Sequence, residues 1–151
     1  MRSLSASNAR DEALAVVKEP HGIGPLRTSL RMAPVGRAWR LGVLLLTRDG
    51  TLYATGKITR AIEPGRPQAL SLSVEQRRTD RMAASRGRFA LGEVVNYEYT
   101  PIAQDPESLA RGSGPLTLEG ASVFVRWGSA LGERRPLPAY LADRAEMLRE
   151  S

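Results

Sequence analysis

Arg77, Arg78 and Arg81 are separated by one, three and four positions, so a helix would gather them within an arc of about 100° of its surface. Ser85 falls in the same arc. Guanidinium groups at that spacing can present paired donors to one phosphate or carboxylate, the chemistry that arginine's planar fork suits. The plainer alternative is a solvated helix face with Glu75 and Asp80 as partial partners. Lys57 is the other candidate. It stands mid-strand among Tyr53, Thr55 and Thr59, and a lysine buried there would have a lowered pKa suited to nucleophilic or Schiff-base chemistry. Otherwise its stem covers apolar surface while its head reaches water. Arg77, Arg78, Arg81 and Lys57 are therefore the candidate ligand-binding residues, and no residue is assigned as catalytic or as a metal ligand.

Other chemistries lack parts. The chain of 151 residues contains no cysteine, hence no thiolate nucleophile and no cysteine-type zinc site. Its single histidine, His21, has no partners from which a triad or metal site could be built. Gly22-Ile23-Gly24-Pro25 lacks the third glycine of a dinucleotide fingerprint. No two carboxylates are marked as a convergent acid–base pair. No cofactor is expected. The net charge is +6, and 20 of the 22 basic residues are arginine. Between residues 60 and 90, seven arginines stand against three acidic residues, so most of the excess sits in one segment. An anionic ligand is thus the natural partner, and nucleic acid a less favoured one. Residues 1–18 lack the apolar run of a signal peptide, and no stretch approaches a membrane span, so the cytoplasm is the expected setting.

The elements that must position these residues centre on a hairpin. Asp49-Gly50 joins two β-type runs, and a two-residue turn there would place Trp39, Leu41, Val43 and Leu45 on one face with Leu52, Ala54, Gly56 and Ile58. Arg40, Leu44, Leu46, Tyr53 and Lys57 would occupy the reverse face. A helix capped by Asn8 or Ser7 and ended before Pro20 is expected, with Asp11 and Glu12 in its first turn. A short edge strand is expected over residues 29–35. The arginines belong to a helix over residues 73–86, opened by the capping box Ser73-Val74-Glu75-Gln76 and closed by Gly87 in a left-handed cap. A strand over residues 94–99 follows, then a long loop over residues 100–115. A second hairpin turns at Glu119-Gly120, with Leu116, Leu118, Ala121, Val123, Val125 and Trp127 on one face. Pro138 opens a last helix, in which Leu141, Ala145 and Leu148 recur at helical spacing.

The fold class read from this order is α+β: a mainly antiparallel sheet built from two hairpins, with about three packed helices. Residues 1–7 are expected to be a flexible N-terminus and residues 8–150 a single domain. Leu44 and Leu46 leave the reverse face of the first hairpin apolar, and a homodimer would cover it.

The run Gly36-Arg37-Ala38-Trp39-Arg40-Leu41-Gly42-Val43-Leu44-Leu45-Leu46, continued by Gly50-Thr51-Leu52-Tyr53-Ala54-Thr55-Gly56, resembles a family of small uncharacterised bacterial proteins. Arg86-Gly87-Arg88-Phe89 and Pro138-Ala139-Tyr140-Leu141 are similar to that family as well, and the resemblance covers roughly residues 28–148. Some members carry the label glutaminase, which implies a small amide hydrolase. The serine-type chemistry of that label uses Ser-x-x-Lys, whereas Lys57 follows Ala54 and Lys18 follows Ala15 at that spacing. The leading expectation is accordingly a non-enzymatic binding or interaction module. An anion- or nucleic-acid-binding protein using the arginine face comes next, and an amide hydrolase without a recognisable nucleophile motif last.

Overall fold

The computed structural model describes residues 4–5, 8–66, 71–128 and 133–150. In chain order they form β1 (Glu12–Lys18), a 3₁₀ turn (Gly24–Leu26), β2 (Arg31–Leu41), β3 (Leu44–Thr47), β4 (Leu52–Ala54) and β5 (Lys57–Arg60). Then come α1 (Leu72–Ser85), β6 (Val94–Tyr97), β7 (Thr100–Pro101), α2 (Pro106–Arg111), β8 (Leu116–Glu119), β9 (Ser122–Arg126), β10 (Arg134–Pro136) and α3 (Leu137–Arg149). The fold is α+β with mostly antiparallel pairing. The seven strands β1 to β7 are mixed, however, because β1 runs parallel to β6, and they extend well beyond a pair of hairpins.

The chain divides into two compact units. Unit 1 holds Met1–Asp11, Ala38–Thr55 and Tyr99–Ser151; unit 2 holds Glu12–Arg37 and Gly56–Glu98. Each has its own apolar core. In unit 1 the end of β2 continues the order β2-β3-β4-β7, and β10-β9-β8 form a second sheet. Its core gathers Trp39, Leu41, Leu44, Leu46, Leu116, Val125 and Tyr140. In unit 2 the order is β5-β6-β1-β2, and Ala13, Ala15, Met32, Ala83, Ala84, Val95 and Tyr97 form the core.

The register of the first hairpin differs from the expected one by a residue. The ladder pairs Leu44 with Ala54, Leu45 with Tyr53 and Leu46 with Leu52, leaving a three-residue loop at Arg48-Asp49-Gly50. Side-chain bonding explains the choice. The Asp49 carboxylate accepts from the Thr47 hydroxyl and, at 3.1 Å, from the Thr51 amide, so it ties the loop from inside. Those bonds, the Thr47 one foremost, hold its carboxyl below the usual range. A second correction lies upstream. The run from Trp39 to Leu46 is not one strand but turns at Gly42-Val43, with Leu41 paired to Leu44 and Trp39 to Leu46. Gly42 has φ of +64°, a conformation open to glycine at the first position of such a turn. Trp39 and Leu41 therefore share their face with Leu44, Leu46, Leu52 and Ala54, while Leu45 lies opposite with Tyr53. Leu44 and Leu46 are covered within unit 1, so the apolar surplus behind the expected homodimer does not arise there.

Other elements shift for related reasons. Residues 12–18 form β1, not a helix: Ala13, Leu14 and Ala15 are buried in succession, as happens in a strand covered on both faces. Asn8, with φ of +53°, is no helix cap. The expected short edge strand is the eleven-residue β2. Pro34 is tolerated inside it because β3 pairs only with Ala38 to Leu41, leaving one side of the earlier residues without a partner among the described pairings. The expected loop over residues 100–115 contains β7 and α2, whose cap is Asp105, accepting from the Ser108 amide at 2.9 Å. The second hairpin turns at Gly120-Ala121 and pairs Leu116 with Val125 and Leu118 with Val123, so those four do share a face, without Ala121. Of the expected flexible N-terminus, residues 1–3 and 6–7 lie outside the described residues; Leu4 is buried in the core of unit 1.

This arrangement makes a stability prediction. Leu44→Ala, at a fully buried site, is expected to cost about 2–5 kcal/mol in denaturant melts. Ile58, which the expected register buried, is 48% exposed, and Ile58→Ala should cost less than about half as much.

Candidate anion-binding site

Helix α1 of unit 2 starts from Ser71, whose hydroxyl accepts from the Val74 amide at 3.3 Å. Ser73 is thus not the cap, and Gln76 does not reach back to the helix start. Its amide instead donates to Asp80 Oδ1 at 2.9 Å, one turn on. The buried side of α1 is Asp80, Ala83 and Ala84, and the small alanines let the helix pack closely against Val95 and Tyr97 in the unit 2 core. Gly87 does not have the left-handed φ of the expected cap. It is required for another reason: a Cβ there would collide with Phe89 and with the Met32 carbonyl.

With that side of the helix fixed, Arg77 and Arg81 rise at the margin of the packed face. They line a cavity of about 290 Å³ together with Arg60, Asp80, Tyr97 and the strand residues Ile58, Thr59 and Val94. Its polar floor is already satisfied. The Tyr97 hydroxyl donates to Asp80 Oδ2 at 2.7 Å, and Gln76 takes the other oxygen. Burial, followed by the bond to Asp80, raises the Tyr97 pKa well above its ordinary value, so the phenol stays a neutral donor. The guanidinium groups are committed less. Arg60 gives one bond to the Gly92 carbonyl at 3.3 Å. Among the described residues, Arg77 and Arg81 make no ion pair and no side-chain hydrogen bond.

The four expected residues therefore part company. Arg77 and Arg81 come together as the spacing implied. Arg78 does not line the cavity, and its buried Nε has no hydrogen-bond partner among the described residues. Lys57 lies half-exposed on β5 and pairs with Glu98 at 2.8 Å. The Glu98 bond raises its pKa, the reverse of what a buried nucleophile needs. Arg60 and Tyr97 were missed. Only the strand pairing of β5 with β6 brings them beside α1, and nothing local in the sequence marks it.

Electrostatics favour an anion here. Unit 2 carries twelve basic against seven acidic side chains, a surplus of five in a chain whose net charge is six. Among the described residues, no group of three His, Asp or Glu side chains is placed to hold a metal ion, and no helix is long and apolar enough to cross a membrane. No protein-family model, curated protein or solved structure matches the chain.

The Asp80–Tyr97 bond can be tested by pH. A folded-state phenol with a raised pKa adds stability that is complete below the ordinary tyrosine value of about 10 and is lost as pH rises beyond it. Tyr97→Phe should cost about 1–3 kcal/mol at neutral pH. Its stability should also fall less steeply than wild type above a pH of about 10, as read by denaturant melts across the alkaline range.

Proposed function

We propose that this chain is a non-enzymatic binding module whose unit 2 takes a small anion, a phosphate or carboxylate group, between Arg60, Arg77 and Arg81. The supporting observation is that guanidinium groups from a strand and a helix line one cavity while two of them have no partner among the described residues. Arginine offers several donors in a fixed fork, so an anion there would receive charge-assisted bonds from more than one side. Among the described residues Asp80 forms no ion pair with Arg77 or Arg81, and its two oxygens accept from Gln76 and Tyr97. A cavity of about 290 Å³ favours a compact ligand over the extended backbone of a nucleic acid, which calls for a basic groove.

Calorimetric titration with inorganic phosphate provides the test. Binding should weaken at least about tenfold in the Arg77→Gln/Arg81→Gln double variant, since each charge-assisted bond is worth roughly 1.5–3 kcal/mol. It should also weaken as salt rises from about 50 to 200 mM. Glutamine keeps helix propensity almost unchanged, so circular dichroism should match wild type. Equal affinity in the double variant would refute the site. Ammonia release from glutamine that scales with protein and vanishes in Lys57→Ala would replace the binding reading with the amide-hydrolase one.

A further inference from the structure

A different cavity, of about 370 Å³, lies wholly in unit 1. Val43, Ala54 and Pro115 give it apolar walls, Thr55 and Thr117 contribute hydroxyls, and Arg126 and Trp127 complete its lining. The expected place of Trp127 was on a buried sheet face. Instead it follows the end of β9 and is 42% exposed, so part of the indole surface is open to solvent at the cavity it lines.

The ring is also held in place. Trp127 stacks on Tyr140, with ring centroids 5.9 Å apart and planes inclined by 24°. Tyr140 is itself fixed at its far end: its hydroxyl donates to the Leu41 carbonyl at 3.1 Å and accepts from the Val43 amide at 3.0 Å. The same hydroxyl thereby sets Val43, which forms the cavity wall. Arg126 is exposed, and among the described residues its guanidinium has no ion pair or side-chain hydrogen bond. A rigid aromatic surface, apolar walls and one uncommitted cation describe a ligand with two parts: a flat ring to lie against the indole and an anionic group for Arg126.

We infer that unit 1 carries a second binding site, for a small aromatic anion, an aryl phosphonate, phosphate or carboxylate, seated between Trp127 and Arg126. The site is independent of the arginine cavity of unit 2 and stands whether or not that cavity binds phosphate.

The chain reports on this site by itself. It has only two tryptophans, and Trp39 is buried at 1% exposure, so a ligand-dependent change in indole emission comes from Trp127. Three probes separate the two parts of the proposed ligand: phenylphosphonate is flat and charged, cyclohexylphosphonate charged but not flat, and benzyl alcohol flat but uncharged. Phenylphosphonate should give a saturable change in emission, with each of the other probes at least about tenfold weaker, since each lacks one interaction worth more than about 1.4 kcal/mol. Arg126→Gln should weaken phenylphosphonate by a similar factor, whereas Arg77→Gln/Arg81→Gln should leave it unchanged. Absence of a saturable response would overturn the inference. So would equal binding of the three probes, an unaffected Arg126→Gln, or loss of the response in the unit 2 variant.

Discussion

The closed turn at Gly42-Val43 is the constraint on which unit 1 depends. Tyr140, from the helix furthest along the chain, accepts from the Val43 amide and donates to the Leu41 carbonyl, so one hydroxyl satisfies both a donor and an acceptor of the same turn. A buried carbonyl and a part-buried amide that would otherwise need water are thereby paired. Gly42 is required twice over: its φ is left-handed, and a Cβ would collide with the Tyr140 hydroxyl. Once that turn is set, Leu41 faces Leu44 and Trp39 faces Leu46. The face presented to the core follows from these pairings. The remaining polar atom of that face is met as well, since the Trp39 indole donates to the Ala9 carbonyl at 3.1 Å.

Unit 2 solves a different problem, placing a carboxylate beside an apolar core without leaving it unpaired. Asp80 is 9% exposed, and Gln76 and Tyr97 each donate to one of its oxygens. The parallel pairing of β1 with β6 is tied in a similar way: the Asn96 amide donates to Glu12 Oε2 at 2.7 Å and to the Ala13 carbonyl at 3.3 Å. Asp80 and Asn96 thus each take at least one partner from a neighbouring element. Arg77 and Arg81 are not drawn into either network. They keep their donors available, which is the physical basis for reading the cavity as an anion site.

Legibility in the sequence followed the range of the interaction. The bounds of helix α1 were readable to within a residue at each end, although the cap is Ser71 and not the expected Ser73, and Gly87 is not left-handed. The start of α3 was also readable, near Pro138. The proximity of Arg77 and Arg81 follows from that helix alone, whereas the cavity they line also needs β5 and β6. The register of the first hairpin was not readable, because two glycines competed to mark turns within the same run. Asp49-Gly50 carried the stronger dipeptide signal, yet Gly42 also turns the chain, and only Tyr140, distant in sequence, stabilises that turn. Strand β1 was lost to a helix for a comparable reason: a short apolar run carries little periodicity, and its burial between β6 and β2 is a tertiary fact. Arg60 and Tyr97 joined the site through the same kind of long-range pairing.

Lys57 shows how a residue that invites a chemical role can be occupied by a structural one. Glu98 has φ of +53°, a left-handed conformation that costs a side-chain-bearing residue roughly 1–2 kcal/mol. Its carbonyl also approaches the backbone so closely that a Cβ at Gly56 would clash with it. Gly56 therefore admits the bend, and Lys57, the next residue, holds the Glu98 side chain from β5. Because both partners are half-exposed, solvent screens the pair and its contribution to stability is small. Its effect is geometric. The ion pair favours one orientation of Glu98 at the residue where β6 has ended and the chain changes direction. Tyr97, immediately before that bend, is the residue whose hydroxyl must meet Asp80. Lys57 lies opposite Tyr97 in the β5–β6 ladder, so the lysine expected to act on a ligand stands beside the tyrosine whose hydroxyl meets Asp80.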